Sequence, residues 1–351
     1  MRADVQGLMG GELGDWLKDQ NAMREAAKEQ AKTRWTWGAA ILAPILLYFW
    51  FGSDWGFVGS AIVTVIGGVV VYYVGQHPIN EATKQIKVGI NTAIARNLGI
   101  NYSHIAEPGA EFRAAEIYGL LPRHDRASFE DRWYGDLQGH RFNLYEAHLE
   151  EKHQDRDGDR WETVFRGAVI DMSFGRRFHS TTLLQRKGKH KKWFGLGKRK
   201  DSVKFKGHQL DYCDQVHPDF DDVFEMYTDD QVEARVLAHP SYVEHLVAVE
   251  RSFQGEAVRA LFHKGEVILA IESGNLFESG SIDASDDALR VTQTAEQFGS
   301  LANLAMAINQ NERGRAGGLA GPSDARNLGG GPMTGTAVHA GRSGGFGRKG
   351  L

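Results

Sequence analysis

The chain has 351 residues, 42% hydrophobic and 25% charged, with a net charge of −4 that hides strong local asymmetry. That length holds one substantial domain besides any membrane segment. The single cysteine, Cys213, excludes an intrachain disulfide and fits a reducing compartment. As a lone thiol it reads as a small core residue before it reads as a nucleophile.

The first element expected is a helix over 11–33, with Leu13, Trp16, Leu17 and Met23 roughly on one side and Lys and Glu on the rest. Two apolar stretches follow, Trp35–Phe51 and Phe57–Gly75, separated only by the loop Gly52–Gly56. At 1.5 Å per residue they reach roughly 25 to 29 Å, close to the hydrocarbon thickness of a bilayer. Trp35, Trp37, Trp50, Trp55, Tyr72 and Tyr73 stand near their ends, where amphipathic rings prefer the headgroup level. The competing reading, two core helices of a soluble fold, does not explain those aromatic belts. A cleavable signal peptide fits poorly, because a long polar segment precedes the first stretch and a second stretch follows it.

Basic residues set the expected orientation. Arg24, Lys28, Lys32 and Arg34 precede the first stretch, and Lys84 and Lys87 follow the second. The connecting loop has only Asp54. Basic flanks stay in the cytoplasm, so both termini are expected there. On the second stretch Gly56, Ser60, Thr64 and Gly68 recur every four residues, a small-residue ridge that lets two helices approach in lipid. Its partner is either Gly38, Ala39 and Ala43 of the first stretch, favoured by the short loop, or a second copy of the chain.

His77–Pro78 is expected to interrupt the apolar run. Residues 79–98 then read as an amphipathic helix carrying Ile79, Ala82, Ile86, Ile90, Ala93, Ile94 and Leu98, stopped by Gly99. A soluble domain is expected over 106–310. It opens with a short helix, Glu111–Leu120. Strands are expected at 140–149, 161–172, 176–185 and 223–228, and as a hairpin of 257–263 and 266–272 about Lys264–Gly265. Helices are expected at 230–238, at 240–252 behind Pro240, and near 286–309. Without regular βα alternation this is α+β, with a mixed helix and antiparallel-sheet domain. The Asp155–Asp159 cluster reads as a hairpin turn before a calcium loop, since the ligand spacing is incomplete.

From Asn311 onward the chain is Gly-, Ala-, Ser- and Arg-rich and is expected to stay disordered. The expected segments are therefore 1–33, a cytoplasmic helix; 34–76, a transmembrane hairpin; 77–105, a juxtamembrane helix; 106–310, the α+β domain; and 311–351, the tail.

The run Arg186–Lys206 carries ten Lys or Arg against one Asp201, with Trp193, Phe194 and Leu196 in its middle. A loop with an apolar tip and cationic sides suits an anionic inner leaflet, where each basic residue contributes about 1 kcal/mol. Lys189, Lys191, Lys192, Trp193, Phe194, Lys198, Arg199 and Lys200 are the candidate lipid contacts. Nucleic acid, with the rings stacking on bases, ranks below lipid. A solvated loop without a role stays open beside it.

Asp221–Asp222 and Asp229–Asp230 are paired carboxylates, but neighbours on a strand point to opposite faces. Asp229 or Asp230 is better placed to cap the helix that follows, and Asp230, Glu233 and Arg235 to make structural contacts. No CxxC, HExxH or close His pair is present, so neither a metal nor a cofactor is expected, and no catalytic residue is assigned.

The segments Phe112–Tyr118, Tyr134–Asp136 with Gly139, Phe142 and Glu146, and Phe165–Gly167 together resemble a bacterial membrane-protein family catalogued as domain of unknown function 3137. The resemblance continues through His217–Phe220, Phe224–Asp230, Val232–Arg235, Ala270–Ile271 and Phe277–Glu278. It covers about 100–305 and implies two spans ahead of the domain, a bacterial inner membrane and no particular activity. The function expected is a membrane-anchored, non-enzymatic scaffold or interaction module contacting anionic lipid and a protein partner or a second copy. The alternative is an accessory subunit or an enzyme acting on a membrane-associated substrate.

Overall fold

A computed structural model describes residues 11–137, 139–155, 158–175, 177–187, 200–214, 223–278 and 281–319. Two long helices open it. Helix α1 spans Glu12–Leu47 and ends in a π-helical turn, Tyr48–Gly52. Helix α2 spans Gly56–Leu98. Both are long and apolar enough to cross a membrane. Their apolar stretches lie bare in the chain by itself: Phe51 is 86% exposed, Phe57 75% and Trp37 67%. Core helices of a soluble fold would bury those rings.

The apolar run ends at His77–Pro78, but the helix does not. Pro78 forfeits one N–H bond, yet α2 continues for another twenty residues of sequence to Leu98. The reason lies beyond the proline: Ala82 is buried, Ile86, Ile90 and Ile94 share a core with the sheet, and that burial holds the helical turns in place. Gly99 then ends the helix in the left-handed conformation, φ 73°, with its N–H turned back to the carbonyl of Arg96. In the same way α1 carries the expected 11–33 helix and the first apolar stretch as one element.

Among the described residues, ten strands form one antiparallel sheet. In chain order the strands are β1 (Asn101–Ile105), β2 (Arg126–Leu137), β3 (His140–Asp155), β4 (Gly158–Ser173) and β5 (Thr182–Arg186). Then come β6 (Ser202–Phe205), β7 (His208–Cys213), β8 (Phe224–Thr228), β9 (Glu256–His263) and β10 (Glu266–Glu272). Their spatial order is β1-β2-β3-β4-β10-β9-β5-β8-β7-β6. The β9–β10 hairpin turns at Lys264–Gly265, as its turn residues predict. Strands β1, β2, β6 and β7 were not expected, and the strand read from 176 begins only at Thr182.

Helix α3 (Ala110–Ile117) covers one face of the sheet, packing Phe112 and Ala115 among Tyr145, Leu149 and Phe165. The other face carries α4 (Gln231–Leu237), α5 (Pro240–Ser252), the 291–305 part of α6 (Asp287–Leu319) and the inner ends of α1 and α2. This is the segregated α+β arrangement. Leu13 and Leu17 of α1 and Ile86, Ile90 and Ile94 of α2 share a core with Trp133, Phe142, Phe253 and Phe298. The long helices are thus built into the domain and are not tethered to it by a linker.

Candidate functional site at the joint between helices and sheet

The joint is made by charges that the helices carry into the core. Lys87 of α2 is 5% exposed and Asp131 of β2 is 0% exposed. The Lys87 ammonium sits 2.7 Å from Asp131 Oδ2 and donates to Glu278 Oε1 at 2.8 Å. Burial alone would pull the lysine pKa down, but Asp131 and Glu278 outweigh it and hold the ammonium above its ordinary value. Tyr102 of β1 donates its hydroxyl to Asp131 Oδ1 at 2.6 Å, and His104 Nδ1 lies 3.3 Å from the same oxygen.

Asp131 reaches this position through a β-bulge. Glu130 pairs with Glu146 and Trp133 with Leu144, so two residues of β2 oppose one of β3. Asp131 is the bulged residue, at φ 55°, and the bulge turns its carboxylate toward the helices. A lysine on an amphipathic helix ordinarily reads as solvated. The signal for its burial is in this bulge, which no local pattern announces.

Behind the pair lies Glu146 of β3, 1% exposed. Its Oε2 accepts the Leu276 N–H at 3.0 Å, and Arg166 Nε stands 3.5 Å from Oε1. Burial, with the charges of Asp131 and Glu130 added, pushes its pKa up to about 8. The loop 273–278 closes the arrangement. Asn91 of α2 donates to the Phe277 carbonyl at 3.3 Å, and the Phe277 ring packs on Trp133 and Phe298. Arg290 of α6 donates to the Glu278 carbonyl.

A second clamp holds α1. Arg24, 2% exposed, donates from Nη2 to both carboxylate oxygens of Asp287 at 2.8 Å and from Nε to the Ser281 carbonyl at 3.0 Å. Beside the 273–278 loop, a cleft of about 200 Å³ is lined by Gln254, Asn275, Arg290, Gln293 and Gln297, among others. It is mostly polar, rich in amides, and does not gather the convergent acids or histidines of a hydrolytic centre. Among the described residues no group of three or more His, Cys, Asp or Glu side chains is placed to hold a metal ion.

Lys189, Lys191, Lys192, Trp193, Phe194, Lys198 and Arg199 lie outside the described residues, and Lys200 is exposed just before β6. Of the expected small-residue ridge, only Ser60 and Thr64 meet α1. The Ser60 hydroxyl donates to the Phe49 carbonyl at 2.8 Å, and Trp50 Nε1 donates to Thr64 Oγ1 at 3.1 Å. A Cβ at Gly56 or Gly68 would meet nothing within 4 Å. The contact line instead runs from Thr64 to Gly67, Val71 and Gly75, where Leu42, Gly38 and Trp35 press in. Steps of three and four residues follow the helical face, whereas strict steps of four drift off it. Asp230 caps α4, accepting the Val232 and Glu233 N–H groups at 2.9 and 3.0 Å. Asp229 accepts the Thr181 N–H, and Arg235 donates to the Asp214 carbonyl. Asp221 and Asp222 lie outside the described residues.

No curated protein matches the chain. A crystal structure of the mycobacterial trehalose monomycolate transport factor A, TtfA, aligns over 59% of this chain and 91% of that one. Its 11% identity and TM-score of 0.30 are too low to inform on this chain. Residues 163–310, from within β4 through most of α6, match the family described as "Protein of unknown function (DUF3137)", the family their sequence resembles.

Proposed function

We propose that the chain is a membrane-anchored, non-enzymatic interaction module of the bacterial inner membrane, with both termini in the cytoplasm. One observation carries this reading. Helix α2 runs unbroken from a bare apolar stretch of bilayer length into the core beneath the sheet. A continuous helix transmits position and orientation, which a flexible linker does not. A domain so joined stands at a set distance from the lipid, where it presents a surface to partners. The anionic inner leaflet is one such partner, through the basic segment with Trp193, and a protein or a second copy is the other. The alternative, an enzyme or accessory subunit acting on a membrane-associated substrate, draws no support from the amide-lined cleft.

Thiol labelling in intact spheroplasts tests the topology. In a Cys213→Ser background, Ser53→Cys is expected to react with a membrane-impermeant maleimide from outside. Lys18→Cys is expected to react only after lysis. The opposite pattern, or recovery of the chain in the soluble fraction, overturns the reading. For the basic segment, hydrogen exchange in nanodiscs is expected to show residues 188–199 protected by anionic lipid and unprotected by zwitterionic lipid. Lys191→Ala with Lys192→Ala and Trp193→Ala is expected to abolish that difference.

A further inference from the structure

We propose that Glu146 is a proton-operated latch: its carboxyl state sets how firmly the loop 273–278, and through it helix α2, is held to the sheet. The contacts lie within the domain and the buried half of α2, so the inference stands without the membrane reading.

The loop is fastened on two sides. Toward the sheet, the Ser273 N–H donates to the Arg166 carbonyl at 2.8 Å and the Leu276 N–H to Glu146 Oε2 at 3.0 Å. Toward α2, the Phe277 carbonyl accepts from Asn91 and the Glu278 carboxylate from Lys87. Between these fastenings Phe277 is held at φ 51°, a left-handed conformation that disfavours a bulky side chain. Its ring is kept among Trp133, Phe253 and Phe298. A segment held in a strained conformation by contacts on both sides relaxes when one side weakens.

The charges around Glu146 make that side sensitive to protons. From β2 it faces Asp131 and Glu130, and from β4 Arg166. Around Asp131 stand Lys87 of α2, Tyr102 and His104 of β1, and Glu278 of the loop. Protonated, Glu146 adds no charge to a core that already holds Asp131. Ionised, it places a second buried carboxylate beside it, with a lysine already committed to Asp131 and Glu278 and an arginine at 3.5 Å. Burial and these neighbours place the change at about pH 8. The Leu276 N–H bond and Arg166 favour the ionised carboxylate, but burial and the two acids outweigh them, so the latch is closed below that pH and loosened above it.

Hydrogen exchange of the full chain in detergent, corrected for the intrinsic pH dependence of amide exchange, reads the latch directly. Protection across 273–278 and the buried end of α2 is expected to be about tenfold higher at about pH 6 than at about pH 9, the equivalent of one pKa unit. Glu146→Gln keeps the acceptor and removes the titration, so protection is expected to be high and equal at both pH values. Glu130→Gln, at a half-exposed position, removes a neighbouring charge and is expected to shift the transition to lower pH with the fold retained. Asp171→Asn, remote from the loop, is expected to leave the transition unmoved. A wild-type loop with no pH response, or a response unchanged in both Glu146→Gln and Glu130→Gln, overturns the proposal.

Discussion

The Arg24 guanidinium meets both carboxylate oxygens of Asp287 at 2.8 Å, joining α1 to the first turn of α6 across 263 positions of sequence. The carboxylate is well placed, since the amino end of a helix favours negative charge. Little water reaches either side chain. Removing one partner therefore strands the other charge in the interior, which costs about 3 to 5 kcal/mol. Arg24→Ala is expected to lower the thermal midpoint of the detergent-solubilised chain markedly. Arg24→Lys keeps the charge but loses the planar fork and its bond to Ser281, and is expected to recover only a minor part. A midpoint unchanged in Arg24→Ala would remove the clamp from the account.

The Lys87–Asp131 pair is expected to behave differently when both members change. Lys87→Met leaves Asp131 without its countercharge and is expected to destabilise by about 3 to 5 kcal/mol. Adding Asp131→Asn removes the stranded charge, so the double variant is expected to be more stable than Lys87→Met by itself. Chemical denaturation of the four members of this cycle gives the coupling between the two residues. Additive losses would mean that Lys87 acts through packing and not through charge.

The packing of the two long helices makes a contrast between adjacent glycines. A Cβ at Gly67 would collide with the Leu42 side chain, and one at Gly75 with the Trp35 indole, whereas one at Gly68 meets nothing. Gly67→Val and Gly75→Val are expected to lower the thermal midpoint, with costs of about 1 to 3 kcal/mol typical of overpacking. Gly68→Val is expected to change it little. Equal effects at Gly67 and Gly68 would place α1 on another face of α2.

These contacts show what local pattern carries and what it does not. The β9–β10 hairpin, a helix cap at Asp229 or Asp230 and Pro240 at the start of α5 were legible because each rests on residues close in sequence. The two apolar stretches were legible for the same reason. Strands β1 and β2 were not: NYSHI is short and mostly polar, RASFEDRWYGDL mixes charge into both faces, and they gain their pairing from each other and from β3. On the small-residue ridge, Ser60 and Thr64 bond to the π-helical turn that ends α1, whereas a Cβ at Gly56 or Gly68 would meet nothing within 4 Å. The joint itself was hidden. Lys87 and Asp131 are distant in sequence, and a bulge brings them together. Glu146 is a charged residue on a strand, with nothing local to mark it as buried.

Asp171 of β4 yields a pH dependence whose sign is fixed. It is 4% exposed, and its carboxylate lies 3.5 Å from Arg141, which also pairs with Glu266. Burial first, and then the Glu266 charge, push its pKa up to about 7, with Arg141 opposing. A carboxyl whose pKa rises on folding binds its proton more tightly in the folded chain. Its stabilisation is full below about pH 4 and is lost as the pH climbs through about 7. Between about pH 5.5 and pH 8 the loss amounts to about 2 kcal/mol. Glu146 adds to it with the same sign at slightly higher pH. The wild-type chain is therefore expected to unfold at a lower denaturant concentration at pH 8 than at pH 5.5, and Asp171→Asn to flatten part of that slope. Arg141→Ala removes the opposing cation, so the Asp171 transition is expected to move to higher pH. A transition that moves downward, or a slope indifferent to Asp171→Asn, would show that this carboxyl stays ionised in the folded protein.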